Sequence, residues 1–278
     1  MGERMLKNSS KKFILEQIKK LEEARGYNIP IHFIDLSRVA KNYNIIKSTF
    51  EKYNSTEIYY AVMANNKKEV LKTLLRDGSN LHIQSLTEYE LAKEIGFTED
   101  KLVFTGKLES RGTLEKMIEN NIQINISSVE TLKDAGKIIE KYRKQGKSVK
   151  NTFGIRIRLS DEIINMINLS KSKTNKPGSS TIGILETKIS EVKNICQHYN
   201  IKINGVHGYG ASNNYEESLF RKIADYVFYF AEFFDDLKYI NLGGGFAVST
   251  KKSDKHLNLD NIAQYYSEKI NSLSKKTQ

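Results

Sequence analysis

Short apolar runs rich in β-branched residues alternate with longer amphipathic stretches along nearly the whole chain. This alternation predicts strand–helix units, and parallel strands need such crossovers because their ends lie far apart. Parallel strands joined by helices form α/β sheets that are covered on their outer faces. The predicted strands span residues 31–36, 58–62, 81–85, 102–106, 122–127, 153–159, 203–209 and 239–243.

The stretches between the strands have helical periodicity. Val39, Tyr43, Ile46 and Phe50 follow one another at spacings of four, three and four, which places them on one face of a helix. We expect N-caps at Ser37 and Ser85 and a leading helix over residues 13–25. The predicted helices after the strands span residues 38–53, 67–77, 86–95, 112–120, 129–145, 187–199, 215–236 and 259–273.

Eight strand–helix units favour a TIM-type (β/α)₈ barrel over a doubly wound sheet, which usually has fewer strands. We expect an N-terminal helical extension over residues 1–28 and a barrel domain over residues 29–278. Residues 171–180 form a long polar loop after the sixth predicted strand. Long loops at barrel strand ends often carry function.

Composition excludes several classes of protein. The chain has 278 residues and a formal charge of +11, but its lysines are interspersed with acidic residues. Basic clusters at 171–176 and 251–255 lack interleaved aromatic residues, so we expect neither nucleic acid nor membrane as a partner, and the charge suits a small anionic ligand. The single cysteine, Cys196, excludes a disulfide framework and a multi-cysteine zinc site, and it fits a cytoplasmic protein.

Candidate functional residues lie where predicted strands end, which is where barrel sites form. Gly243, Gly244 and Gly245 follow the last predicted strand, either as a phosphate-binding nest or as a tight turn. Arg156 and Arg158 share a strand face, where an inward arginine needs an anionic partner; alternatively, one of them is a solvated strand-end charge.

Two further segments offer polar and aromatic groups at strand ends. Residues 205–214 contain His207, Tyr209 and Ser212; Tyr209 is suited to stacking on a flat ring, and Ser212 to binding a phosphate. The alternatives are that Tyr209 packs in the core and that Ser212 caps the next helix. Residues 59–65 run from a strand into a loop, in which Met63 alone would be read as a core residue.

The order and spacing of these segments resemble those of the corresponding segments in the barrel of the fold-type III pyridoxal 5′-phosphate (PLP) decarboxylases. That family includes the ornithine, diaminopimelate and arginine decarboxylases, and its barrel is similar to that of alanine racemase. The resemblance runs from about Ile29 to about Phe246. It implies PLP as cofactor and an amino acid as substrate. The residues it places around the cofactor are Ala61, His82, Arg156, His207, Tyr209, Ser212, Gly243, Gly244 and Gly245.

The chain departs from the family pattern at the catalytic position. Met63 occupies the place of the family's lysine, which holds PLP as a Schiff base, and a thioether cannot form that bond. The resemblance also assigns residues 31–36 to the junction with a C-terminal β-domain, which we do not find in the sequence, so that seven barrel strands remain rather than eight. We therefore expect PLP binding to be weakened or lost.

Three interpretations follow. The chain is a decarboxylase barrel with impaired activity, completed by a homodimer partner or a companion chain. Alternatively it is a non-catalytic pseudoenzyme that acts by binding a partner. A barrel enzyme acting on an unrelated phosphorylated substrate is the third, and the ordered set of motifs favours it least.

Overall fold

The computed structural model describes residues 8–25, 32–106, 111–170, 182–210, 212–248 and 256–276. Its centre is a sheet of seven parallel strands in which every strand pairs with its neighbour in sequence. The strands are β1 Tyr59–Ala61, β2 Asn80–Ile83, β3 Leu102–Phe104, β4 Gln123–Ile126, β5 Thr152–Arg156, β6 Lys202–His207 and β7 Tyr239–Asn241.

Helices connect the strands, as the alternation predicts. They are α1 Asn8–Arg25, α2 Leu36–Glu51, α3 Lys68–Arg76, α4 Leu86–Ile95, α5 Arg111–Glu119, α6 Val129–Lys144, α7 Asp161–Ser170, α8 Ile189–Tyr199, α9 Glu217–Ala231 and α10 Leu259–Lys276. Short 3₁₀ turns follow β1 and precede β3 and α8, at Val62–Ala64, Glu99–Lys101 and Glu186–Lys188.

The two predicted N-caps have different outcomes. Ser85 caps α4, since its hydroxyl accepts a hydrogen bond from the Glu88 N–H at 3.2 Å. The prediction for Ser37 is wrong: Asp35 caps α2 by accepting from the Arg38 N–H, and the Ser37 hydroxyl donates to the same carboxylate. A carboxylate is the stronger acceptor at a helix N-terminus because the helix dipole favours negative charge there.

The sheet curls into a partial barrel. His82 on β2 and His207 on β6 have ring centroids 6.3 Å apart, whereas four strand spacings in a flat sheet would put them roughly 19 Å apart. The predicted strand at 31–36 is wrong, because His32–Asp35 pair with no strand among the residues that the structure describes and Leu36 begins α2. Seven strands, the number implied by the resemblance, is correct for the described residues, in which no pairing joins β1 to β7.

Helix α10 links the two ends of the sheet on its outer side. It packs against α2, which precedes β1, and against α9, which precedes β7. The Asp260 carboxylate accepts from the Tyr53 hydroxyl at 2.7 Å, and the Asn54 side-chain amide donates to Ser267 at 3.1 Å. These contacts hold the first and last strands of the described sheet in the same region of the molecule.

The barrel interior is partly polar, while apolar side chains fill the layer between strands and helices. Tyr239 on β7 donates to the Asn125 amide oxygen on β4 at 2.5 Å, and the Asn125 amide nitrogen donates to Thr105. A Cβ at Gly205 would overlap the Tyr239 ring, and one at Gly154 would overlap its hydroxyl oxygen. Glycine at these two strand positions therefore makes room for the tyrosine inside the barrel.

Some predictions fall on residues that the structure does not describe. These are the loop at 171–180, the basic cluster at 251–255 and residues 26–31, which include the expected boundary between extension and barrel. The division at residue 28 therefore stays a prediction. Among the helices that are described, none has the length and apolar character needed to cross a lipid bilayer.

Candidate functional site

The predicted site residues from four separate segments meet at the carboxyl end of the curled sheet. The register of the strands places these residues at the same height along the barrel axis. Ala61 on β1 pairs with His82 on β2, and His207 on β6 pairs with Arg156 on β5 and Asn241 on β7. Curling then brings the β2 residue to the β6 residue across the interior. The structure thus assembles His82, Arg156 and His207 at one end of the barrel.

These three side chains, of which His207 is buried and His82 and Arg156 are half-buried, form a group with one permanent charge. Burial first, and the nearby Arg156 guanidinium second, lower the pKa of His82 to about 4. Burial, Arg156 and His82 together hold the pKa of His207 well below its usual value. Burial also lowers the pKa of Arg156, but a guanidinium stays protonated at neutral pH. At pH 7 the group therefore contains two neutral imidazoles and one cation.

Several polar atoms of this group are unpartnered. The Nε2 atom of His82, the Nε atom of Arg156 and the Nδ1 atom of His207 are buried without a hydrogen-bond partner within the described part of the chain. Leaving one buried polar group unsatisfied costs about 1–3 kcal/mol. Such atoms at a strand-end site indicate that a polar ligand normally completes them.

Tyr209 lies beside this group rather than in the core. Its ring centroid is 5.9 Å from the Arg156 guanidinium carbon, and its hydroxyl is hydrogen-bonded to the Ser212 hydroxyl. Ser212 does not cap the next helix, because the N-cap of α9 is Glu216. The arrangement leaves an aromatic ring and a hydroxyl available at the same end of the sheet, as a stacking and anion-binding role requires.

The two arginines of the β5 segment separate. Strand β5 ends at Arg156, and Arg158 beyond it donates to the Asp161 carboxylate at 3.0 Å at the start of α7. Arg158 thus has an anionic partner on the protein, whereas Arg156 forms no ion pair within the described residues and lies beside the Tyr209 ring. Arg156 is therefore the arginine available to an anionic ligand.

The three consecutive glycines have different roles. Gly243 has a φ of +69°, and a Cβ there would lie 2.7 Å from the Gly208 carbonyl oxygen, so only glycine fits. Gly245 has a φ of +87°, and its carbonyl accepts from the Asn214 N–H at 3.0 Å. A Cβ added at Gly244 would meet no described atom within 4 Å. The outer glycines make the turn, and the middle one faces space that no described atom occupies.

Met63 is exposed, so its interpretation as a core residue is wrong. It lies on the turn after β1 with 67% of its surface accessible. The Gln84 side-chain amide nitrogen donates to its Sδ atom at 2.7 Å. Of the two lysines that follow it in sequence, Lys68 pairs with Glu94, and Lys67 is an exposed residue at the N-cap of α3.

Sequence reasoning missed Gln84. It lies two residues after His82, and a period of two along a strand puts both side chains on the same face. Its backbone N–H donates to the Glu88 carboxylate at 2.7 Å, which fixes the backbone at the start of α4. That strand periodicity was the signal by which Gln84 could have been found.

Comparison with known proteins identifies relatives of this chain. Residues 36–278 match the family model described as "Pyridoxal-dependent decarboxylase, pyridoxal binding domain". Diaminopimelate decarboxylase of Methanothermobacter thermautotrophicus is 22% identical over 251 residues, which cover 87% of this chain and 55% of the relative. A probable chloroplastic diaminopimelate decarboxylase of Oryza sativa subsp. japonica is 25% identical, with coverages of 84% and 48%.

Solved structures show the same fold. A mutant diaminopimelate decarboxylase from Helicobacter pylori in complex with L-lysine superposes with a TM-score of 0.75 at 21% identity, over 90% of this chain and 62% of its own. A lysine/ornithine decarboxylase from Vibrio vulnificus in complex with putrescine gives a TM-score of 0.72 at 14% identity, over 96% and 64%. The chain thus spans about half to two thirds of the length of these relatives.

Proposed function

The chain belongs to the pyridoxal-dependent decarboxylase family, and we propose that it holds PLP at the barrel end without a covalent bond to residue 63. The observation that carries this proposal is the set of buried, unpartnered atoms on His82, Arg156 and His207 beside the glycine turn. A phosphorylated pyridine has both an anionic group and ring polar atoms to complete such a set. The residues present therefore fit the cofactor.

Each residue has a proposed task toward PLP. The open side of Gly244 and the Ser212 hydroxyl bind the phosphate, since a glycine turn lets backbone N–H groups approach an anion closely. Tyr209 stacks on the pyridine ring, and the positive charge of Arg156 favours the anionic ligand. His82 and His207, uncharged at neutral pH, provide hydrogen-bonding partners for ring polar atoms, and Ala61 lies at the same level on β1.

PLP supplies an electron sink for carbanion chemistry when it is bound. The protein's part here is to bind and orient the ring and to keep water from the buried imidazoles. Met63 has no amine, so it can neither hold the cofactor covalently nor exchange it onto an amino-acid substrate. We therefore propose that amino-acid decarboxylation by this chain is strongly impaired and that binding, rather than turnover, is its retained property.

A second candidate function is binding to another polypeptide, in the cytoplasm, as a pseudoenzyme or as one subunit of a split or homodimeric decarboxylase. The observation that favours it is the partial barrel, in which the outer edges of β1 and β7 pair with no strand of the described residues. Unpaired strand edges can be extended by a strand from another chain.

Equilibrium dialysis with PLP tests the proposal, with Arg156→Met compared against Arg158→Met. We expect measurable binding by the wild type and a loss of tenfold or more for Arg156→Met. Arg158→Met should bind nearly normally, because Arg158 is paired with Asp161. No binding by the wild type, or an equal loss in both variants, would contradict the proposed site.

A further inference from the structure

The pair formed by Met63 and Gln84 suggests which form of the cofactor this site prefers. Resting on the proposed function, we propose that the site binds the amine form, pyridoxamine 5′-phosphate, at least as tightly as the aldehyde PLP. Gln84 is the residue that recognises the amine. The phosphate and ring contacts are common to both forms, so any preference must come from residues near position 63.

The aldehyde group of PLP gains no affinity from a covalent bond to residue 63. An aldehyde binds tightly to a protein when a lysine captures it, and Met63, at the position of that lysine in the family pattern, has no amine. Met63 is an acceptor-only thioether, Lys68 is paired with Glu94, and Lys67 lies exposed at the start of α3. The aldehyde group therefore has no covalent advantage over an amine here.

The amine group of pyridoxamine 5′-phosphate gains a hydrogen-bond acceptor in Gln84. Because a thioether has no proton to donate, the Gln84 amide must present its nitrogen to Met63, as it does at 2.7 Å. Its carbonyl oxygen Oε1 then lies on the other side of the amide group, and among the described residues no donor is hydrogen-bonded to it, so it can accept a hydrogen bond from a ligand. An amine donates such a hydrogen bond, whereas an aldehyde oxygen only accepts.

The side chains of Met63, Gln84 and His82 carry no positive charge that would repel the amine. The amine is protonated at neutral pH, so a lysine or a protonated histidine beside it would repel it. Met63 and Gln84 are neutral, and His82, which precedes Gln84 on the same strand face, is uncharged because it is buried beside Arg156. Arg156 is the cation in this group, and it lies beside the ring of Tyr209, whose hydroxyl is hydrogen-bonded to Ser212, the residue proposed to bind the phosphate. The wall near residue 63 is thus compatible with a cationic amine.

Isothermal titration with PLP, pyridoxamine 5′-phosphate and phosphate-free pyridoxamine tests the proposal on the wild type, Gln84→Leu and Met63→Lys. For the wild type we expect pyridoxamine 5′-phosphate to have a Kd equal to or below that of PLP. Gln84→Leu should weaken the amine form by about threefold to tenfold, the worth of one hydrogen bond, with PLP unchanged. Met63→Lys should reverse the preference in favour of PLP by tenfold or more.

The outcomes separate this inference from the proposed function. Wild-type protein that binds PLP more tightly than the amine form would overturn the inference and leave PLP binding intact. Equal weakening of both ligands by Gln84→Leu would assign Gln84 a structural role and also overturn it. Failure of both phosphorylated ligands to bind would overturn the proposed function itself. Pyridoxamine binding as tight as its phosphate would contradict the role of the glycine turn.

Discussion

The imidazole rings of His82 and His207 lie with their centroids 6.3 Å apart, although three strands separate β2 from β6 in the sheet. The contact exists only because the sheet curls, and it gathers polar side chains that are distant in sequence at one end of a partial barrel. His207 is buried and His82 is half-buried, and Arg156 adds its charge to the surroundings of both rings. The curvature of the sheet is therefore what brings the site residues together.

Acid should destabilise this protein partly through His82. Its pKa is about 4 in the folded chain against an ordinary value of 6.5, so between these pH values the unfolded state binds the extra proton. Unfolding free energy therefore falls as pH drops from about 6.5 towards 4, by up to roughly 3 kcal/mol for this residue. Urea unfolding at several pH values measures the effect.

The control for the pH prediction is His82→Asn, which cannot titrate. Carboxylates also contribute to acid unfolding, but they contribute equally in both proteins, so the difference between the two pH profiles isolates His82. The variant should show a shallower loss of stability between pH 6.5 and 4. Parallel profiles would mean that His82 has an ordinary pKa in the folded chain.

Removing the charge of Arg156 should change the titration of both histidines. Arg156 lowers the pKa of His82 and of His207, in each case as the second cause after burial. Arg156→Met should therefore raise both pKa values while leaving them below 6.5, since burial remains. Histidine ring chemical shifts measured by NMR against pH would show this, and unchanged values would place Arg156 away from the rings.

The glycine turn should separate stability from binding. Gly243→Ala forces a side chain into the left-handed region and against the Gly208 carbonyl, and should lower stability by about 1–2 kcal/mol or more. Gly244→Ala meets no described protein atom, so its unfolding midpoint should stay close to that of the wild type. Its affinity for PLP should nevertheless fall, because the new methyl group occupies the ligand's space. Unchanged affinity would exclude Gly244 from the phosphate site.

The packing of Tyr239 inside the barrel gives a test of the fold. Gly205→Ala places a methyl group against the Tyr239 ring, and overpacking of this kind costs about 1–3 kcal/mol. In a double-mutant cycle with Tyr239→Ala the two losses should sum to more than the double variant shows, since removing the ring makes room for the methyl group. Additive losses, measured by urea unfolding, would place the ring elsewhere.

Alternation in the sequence predicts most of the strands and helices because each unit has its own periodic pattern. It fails at residues 31–36, where an apolar run suggests a strand but no described strand pairs with His32–Asp35 and Asp35 caps a helix instead. It also misses α7, whose isoleucines have weak helix preference. Burial of Ile163 and Ile167 on one helix face is what stabilises α7, and that is a tertiary effect.

Candidate residues could be named from the sequence where the expected chemistry requires a residue type, as for the glycines, Arg156 and Tyr209, and their role as a cofactor site stays a prediction. The motif order supplied His82 and the significance of Met63. Gln84 was predictable only in part, because strand periodicity places it on the same face as His82 but does not show that it contacts Met63. Its contact with Met63 depends on the path of the chain just after the paired strands β1 and β2, and only the folded structure shows that path.

Borohydride reduction of the protein in the presence of PLP tests the central claim, reversible binding without covalent capture, most directly. Peptide mapping by mass spectrometry then locates any reduced adduct, and excess pyridoxamine 5′-phosphate as competitor separates site-specific adducts from those on surface lysines. We predict that wild-type protein binds PLP in dialysis yet shows no adduct that the competitor removes, while Met63→Lys acquires one at residue 63. A stoichiometric, competitor-sensitive adduct on a wild-type lysine would contradict the account.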